Sequence, residues 1–220
     1  MLHFSDLLQY TDVFLSGLLT TVELTILTTA LGIALGTGCA AIRQYGHKVS
    51  QRTVAVYVEL IRNTPFIVQL FFIFFGLPAI GLKLTPWQAS MIALTINLGA
   101  YSTEIIRAGL SSIPKGQIEA AKVLGMNFRQ TLTRVIFTPA FEKIYPALTS
   151  QCIIVMLGSA VISQISVEDL TYAANLVQSR NFRAFESYLV TALLYLVLAI
   201  ALRFIFNQIG KRLFAYREVK

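Results

Sequence analysis

The sequence is poor in charged residues, and in acidic residues above all. Only 13% of its 220 residues are charged, with 11 Asp and Glu against 18 Lys and Arg. An average soluble domain has about a quarter of its residues charged. The hydrophobic fraction of 55% and the mean hydropathy of +0.67 exclude a disordered chain. So little charge could not cover the surface of a water-soluble globule, and the composition therefore indicates an integral membrane protein.

Cysteine and the usual catalytic constellations are also scarce. The 2 cysteines, Cys39 and Cys152, lie in apolar surroundings, which argues against a disulfide framework or a metal cluster. Both histidines, His3 and His47, fall outside the apolar segments. There is no Gly-rich phosphate-binding loop of the G-x-x-x-x-G-K-[ST] type. We therefore predict no catalytic residue, no metal site and no cofactor in this chain.

Five long runs without charged side chains dominate what is present, and they are 16 to 24 residues long. A membrane-spanning helix needs about 20 mostly apolar residues. In hydrocarbon only helices or closed barrels satisfy every backbone group, and the runs are too long for strands. We predict an all-α membrane protein, one domain over residues 1–220, with five transmembrane helices and one long loop. The spans are about 13–42, 55–77, 85–107, 144–166 and 186–207, and the loop is about 108–143.

The basic residues orient these predicted spans. Of the 18 Lys and Arg, 14 fall in the first connection, the long loop and the C-terminal tail, 3 fall on the other side, and Arg62 lies inside the second span. Cytoplasmic segments carry the excess of Lys and Arg. We therefore place the N-terminus outside, with a short interfacial helix over 2–13, and the C-terminus in the cytoplasm. The net charge of +7 is then a topology signal that needs no nucleic-acid partner.

The long loop has the pattern of two short helices. Pro114 suits the first turn of one helix, and Gly125 suits the position after its last turn. Asn127 and Gln130 offer an N-cap and its capping partner for a second helix. Pro139 is expected to end or kink that second helix before the fourth span.

The first loop helix carries a sharper signal. Its residues Glu119-Ala120-Ala121, followed three residues later by Gly125, resemble the EAA loop of ABC-importer permeases. On spacing alone, an ordinary helix–turn–helix connection with a solvated Glu119 would fit equally well. Small residues on one side of such a helix allow another protein to approach closely.

Two membrane segments extend the resemblance over most of the chain. Residues 62–72, Arg-Asn-Thr-Pro-Phe-Ile-Val-Gln-Leu-Phe-Phe, resemble the R-x-T-P-x-x-x-Q-L-F-F segment of polar amino acid permeases. Residues 97–101 and 104–109 are similar to the third span of the same family. The sequence departs from the family at Thr138-Pro139, where a Leu-Pro pair is usual and the proline comes one position late.

The resemblance implies a permease subunit of a type I importer in the bacterial cytoplasmic membrane, moving a polar amino acid or related small molecule inward. The implied partners are an ATP-binding-cassette ATPase dimer that binds ATP and Mg²⁺, a second permease subunit (identical or homologous), and an extracytoplasmic amino-acid-binding protein. Glu119, Ala120, Ala121 and Gly125 would couple the permease to the ATPase. The alternative is a stand-alone secondary carrier or channel, which would need an ion-coupling carboxylate or an inverted repeat; neither is evident.

Polar side chains at membrane depth are costly and usually face the bundle interior or a cavity. The resemblance places the substrate site near the second, third and fourth spans, and we predict Thr64, Gln69, Asn97 and Ser159 as its lining residues. The competing interpretation is that each residue hydrogen-bonds between helices, worth roughly 0.6 kcal/mol.

Charged side chains near the span ends receive other predictions. Glu59 with Arg62, and Glu104 with Arg107, are expected to form structural or gating ion pairs, because residues three apart lie on one helical face. Glu168 and Asp169, just beyond the fourth span on the outer side, are expected to meet a binding protein or to be solvated in a loop. Residues 153–166 contain no carboxylate, so we expect a substrate without a cationic side chain, or a second permease that carries the site.

Overall fold

The computed structural model describes residues 4–214, and this range is helical, without strands. The α-helices are α1 (Thr11–Tyr45), α2 (Lys48–Arg62), α3 (Phe66–Phe71), α4 (Pro86–Ser111), α5 (Lys115–Val123), α6 (Phe128–Gln130), α7 (Thr138–Gly158), α8 (Leu170–Asn181) and α9 (Ala184–Leu213). Five shorter segments join them: 3-10 helices at Phe4–Tyr10, Leu77–Ile80 and Ser159–Ile165, and π-helices at Phe72–Gly76 and Thr131–Phe137.

The N-terminal end of the chain differs from the expected interfacial helix. Of the predicted segment 2–13, residues 4–10 form a 3-10 helix that runs directly into α1, and residues 11–13 already belong to α1. Residues 2 and 3 lie outside the described range, as do Arg217 and Lys220, two of the tail residues used for the topology prediction.

Three helical segments within residues 4–214 are long and apolar enough to cross a membrane: Phe4–Tyr45, Phe128–Ile165 and Ala184–Leu213. A fourth is added if the bent pair Lys48–Arg62 and Phe66–Ile80 counts as one span. The third predicted span, 85–107, is α4, which is not among these segments.

The position of α4 at the centre of the bundle accounts for its polar content. It packs against α1, α2, α3 and α7, and 12 of its 26 residues are buried. A helix surrounded by protein needs less apolar surface than one that faces lipid. Glycines in α1 allow the closest approach, because a Cβ on Gly36 would lie only 2.5 Å from the Cβ of Ser102.

The second predicted span, 55–77, is not one straight helix. It is broken after Arg62, and its two halves meet at an angle of 110°. Pro65 explains the break, since proline lacks an N–H group and disfavours helical conformation in the residue before it.

The second loop helix does not end before the fourth span, although Pro139 was expected to end or kink it there. Helical structure continues from Phe128 to Ile165. Pro139 is accommodated because the turn before it is a π-helix, in which the Thr138 N–H reaches the Thr133 carbonyl five residues earlier. The second loop helix and the fourth span therefore form one continuous helical segment, Phe128–Ile165.

Helix α8 was not predicted, and it overturns the expectation for Asp169. This residue is completely buried and is the N-cap of α8, where Oδ1 accepts from the Tyr172 N–H at 2.8 Å and Oδ2 accepts from the Tyr195 hydroxyl at 3.1 Å. Burial raises the pKa of its carboxyl to about 6. Asp169 thus joins α8 to α9 and is not available to a partner protein.

Candidate functional site

The break between α2 and α3 leaves backbone carbonyl groups that need partners. The last carbonyls of any helix lack intrahelical donors. Here the Thr64 hydroxyl donates to the Leu60 carbonyl at 2.8 Å, and the Gln69 Nε2 donates to the Ile61 carbonyl at 2.7 Å. Two of the predicted lining residues therefore cap the broken helix.

Gln69 is the centre of this arrangement. Its side chain is buried, and its Nε2 also reaches the Thr64 carbonyl at 3.0 Å and the Thr64 Oγ1 at 2.9 Å. Its Oε1 accepts a hydrogen bond from the Asn97 Nδ2 at 3.1 Å, which ties the break to the central helix α4. Among the described residues, the Asn97 Oδ1 makes no hydrogen bond. The structure thus brings together three of the four predicted lining residues.

Ser159, the fourth, is placed differently. It is 1% exposed, and its hydroxyl donates to the Met156 carbonyl at 2.7 Å. No hydrogen bond joins it to Thr64, Gln69 or Asn97 within the described chain. Its part in a substrate site stays a prediction.

Of the two predicted ion pairs, one forms and the other does not. Glu59 and Arg62 do not pair within the described structure; the Arg62 guanidinium instead lies over the Tyr101 ring, 5.4 Å from its centroid. Both charged residues are exposed, and exposed pairs gain little, whereas the ring offers Arg62 a fixed contact on α4.

Glu104 and Arg107 do form an ion pair, with Oε2 and Nη2 2.7 Å apart. Arg43 of α1 joins it, because its Nη1 lies 2.7 Å from the Glu104 Oε1. From the sequence, Arg43 counted only among the basic residues that orient the spans, and its position at the end of a span was the available signal for an ion pair. The triad fastens α1 to α4.

The predicted helix with the EAA residues is α5, and its end has the expected geometry. Gly125 has a φ of +69°, its N–H donates to the Lys122 carbonyl, and the Met126 N–H donates to the Ala121 carbonyl, both at 3.0 Å. This is a Schellman ending, which requires a residue in the left-handed region. The capping pair of Asn127 and Gln130 is also present, with both hydrogen bonds at 2.9 Å.

The surface of α5 differs from the expected one. Glu119 and Ala120 are exposed, but Ala121 is only 3% exposed and faces the protein's own structure. It does so because α5 packs back against the π-helix Thr131–Phe137. The exposed apolar side chains that sequence reasoning missed are Val123 at 88%, Leu124 at 78% and Phe128 at 77%. Apolar residues flanking a glycine in a charged loop were the signal for them.

Comparison with known proteins decides the family. Residues 32–215 match the model of binding-protein-dependent transport system inner membrane components. The chain belongs to this family. The predicted resemblance to ABC-importer permeases is therefore confirmed, and with it the location in a bacterial inner membrane.

Individual relatives agree with the family match. A probable glutamine ABC transporter permease protein of Bacillus subtilis (strain 168) is 36% identical over 202 residues, covering 92% of this chain and 94% of the relative. The L-cystine transport system permease protein of the same organism is 36% identical over 214 residues, covering 96% and 92%. A crystal structure of an amino acid ABC transporter with histidines has a TM-score of 0.89 and 35% identity, covering 96% of this chain and 99% of that one.

Proposed function

We propose that this permease moves a polar amino acid with an uncharged side chain into the cytoplasm, driven by ATP hydrolysis in a partner subunit. The observation that carries the proposal is the hydrogen-bonded group of Thr64, Gln69 and Asn97 at the broken second span. Broken helices near the middle of the membrane are where several transporter folds bind substrate. Amide and hydroxyl groups suit a zwitterion with a polar neutral side chain, and the names of the glutamine and cystine relatives support this class.

The topology that fits this function has five spans: α1, the bent pair α2–α3, α4, the helical segment Phe128–Ile165, and α9. The N-terminus lies outside and the C-terminus in the cytoplasm. The distribution of basic residues supports this orientation. The central place of α4 supports its assignment as the third span, since it is 26 residues long and therefore about 39 Å, enough to cross the bilayer.

Coupling to the ATPase would run through α5. The exposed groups Glu119, Ala120, Val123 and Leu124 form an apolar surface with one carboxylate, and apolar patches of this kind mark binding sites. The continuous helix from Phe128 to Ile165 would carry its displacement into the membrane. ATP and Mg²⁺ would bind to the ATPase dimer, because this sequence has no phosphate-binding loop.

A second permease subunit would cover the polar side of the α2–α3 break. Glu59, Arg62, Asn63 and Thr64 are all exposed on this chain at the level of a membrane span. Such groups must face protein or a water-filled cavity. Two subunits related by a two-fold axis would enclose that cavity, and an extracytoplasmic binding protein would deliver the amino acid to it.

Co-purification tests this assembly. The chain, carrying an affinity tag and extracted in mild detergent, should bring down an ATP-binding-cassette ATPase and a permease subunit in equal numbers. Mass spectrometry of the intact complex would also show whether the two permeases are identical. Recovery of the chain alone, from detergents that preserve other membrane complexes, would favour the stand-alone carrier or channel.

A further inference from the structure

An apolar groove of about 410 Å³ runs between α1 and α9. Ile26 and Ala30 line it on α1, and Leu198, Ala201 and Ile205 line it on α9. It exists because α9 packs mainly against α7 and α8 and leaves a gap along α1. One of its few hydroxyls, that of Thr25, donates to the Thr21 carbonyl at 2.7 Å, so it needs no partner from the groove.

The groove opens onto the part of the protein that meets lipid. Both α1 and α9 belong to candidate spans, and only 11% of the most apolar stretch of α9 is buried. An empty groove in hydrocarbon would forfeit the dispersion contacts of every side chain that lines it. An apolar molecule must therefore fill it, and its volume lies within the range of small-ligand sites, about 300–1,000 Å³.

The second permease subunit is not the occupant that fits. The side of the chain that requires a protein neighbour carries the exposed polar groups of Arg62 to Thr64. There α2 and α3 pack against α4, whereas α9 packs against α7 and α8. The α9 side of the groove thus lies away from the polar break, while its α1 side packs against α4, α8 and α2.

A basic side chain lies on α9 beyond one end of the groove. Arg212 is exposed and follows Ile205 by seven residues, which places it two turns further along the same side of α9. We propose that the groove binds one acyl chain of an anionic phospholipid, with its phosphate at Arg212. In the orientation proposed above, this lipid belongs to the cytoplasmic leaflet. A basic residue at the membrane surface attracts such headgroups.

Native mass spectrometry tests this with the protein purified together with its co-purifying subunits. The probe is a nanodisc of phosphatidylcholine and phosphatidylglycerol in equal parts, and the readout is the phospholipid retained per permease after release. Ala201→Phe fills the groove, while Ala192→Phe makes the same change at an exposed site of α9 outside it. Arg212→Gln removes the headgroup contact, with Arg203→Gln as the matched loss of charge.

The expected result is one retained lipid, lost in Ala201→Phe but kept in Ala192→Phe. Arg212→Gln should lower the preference for phosphatidylglycerol by about fivefold, and Arg203→Gln should leave it unchanged. Equal retention in the two phenylalanine variants would overturn the proposal. If Ala201→Phe does not fold, an unchanged lipid preference in Arg212→Gln would overturn it alone. These readouts require neither transport nor ATP hydrolysis, so they do not depend on the outcome for the proposed function.

Discussion

The Asn97 side-chain amide donates to the Gln69 Oε1 at 3.1 Å, which joins the central helix α4 to the broken second span. Through Gln69 the contact extends to the Ile61 carbonyl, so one side chain holds both halves of the break. A displacement of α4 would therefore disturb the geometry at Thr64 and the end of α2.

Gln69→Leu should lower both stability and transport. The substitution leaves the part-buried Ile61 carbonyl without its donor and the Asn97 amide without its acceptor, and an unpaired buried polar group costs about 1–3 kcal/mol. Thermal unfolding of the purified complex measures the first effect, and amino acid uptake into proteoliposomes measures the second. Gln44→Leu, at an exposed position of α1, is the control and should change neither. Unchanged unfolding of Gln69→Leu would show that the capping bonds are not formed.

Gly125→Ala should weaken coupling to the ATPase. The added methyl group meets no atom within 4 Å, so the cost comes from the positive φ alone and is about 1–2 kcal/mol. Gly116→Ala is the matched control, because its Cβ also meets nothing and its φ is not positive. Substrate-stimulated ATP hydrolysis should fall in the first variant only. Equal activity in both would mean that the Schellman ending is not needed for coupling.

Val123→Ser should weaken binding of the ATPase to the permease without lowering the stability of the permease. Val123 is 88% exposed, so its removal costs the isolated chain little, but it removes apolar area from the proposed docking surface. The amount of ATPase that co-purifies is the measurement. Val49→Ser, 67% exposed on α2, should retain the ATPase. Loss of the ATPase from both variants, or from neither, would show that the ATPase does not dock on α5.

Arg43 and Glu104 should be energetically coupled. A double-mutant cycle of Arg43→Ala and Glu104→Ala is expected to give an interaction energy of order 1 kcal/mol, since both groups are largely but not fully buried. The free energy of unfolding is the quantity to compare. A parallel cycle with Arg52→Ala, an exposed residue of α2, should be additive. Additivity in both cycles would contradict the bridge between α1 and α4.

Residue patterns that depend on near neighbours in the sequence predicted the helix ends correctly. The glycine after α5 and the capping pair of Asn127 and Gln130 appear as expected, because they depend on neighbouring backbone groups only. Thr64, Gln69 and Asn97, which the family resemblance and the cost of polar groups at membrane depth predicted as lining residues, also meet.

The predictions for Ala121, Asp169 and Arg62 were wrong because they depend on packing between distant parts of the chain. The burial of Ala121 depends on α5 folding back onto the π-helix, and that of Asp169 on an unpredicted helix docking against α1. Arg62 contacts the Tyr101 ring of another helix instead of Glu59, which precedes it by three residues. None of these partners can be read from the spacing of residues along the chain.

Uptake into proteoliposomes distinguishes an ATP-driven importer from a secondary carrier. The complex of this permease with its ATPase would be reconstituted with the binding protein and labelled glutamine. We predict accumulation that requires ATP and Mg²⁺ on the cytoplasmic side and persists when ion gradients are collapsed. Accumulation that needs no ATP and disappears with the ion gradient would contradict it and establish a secondary carrier.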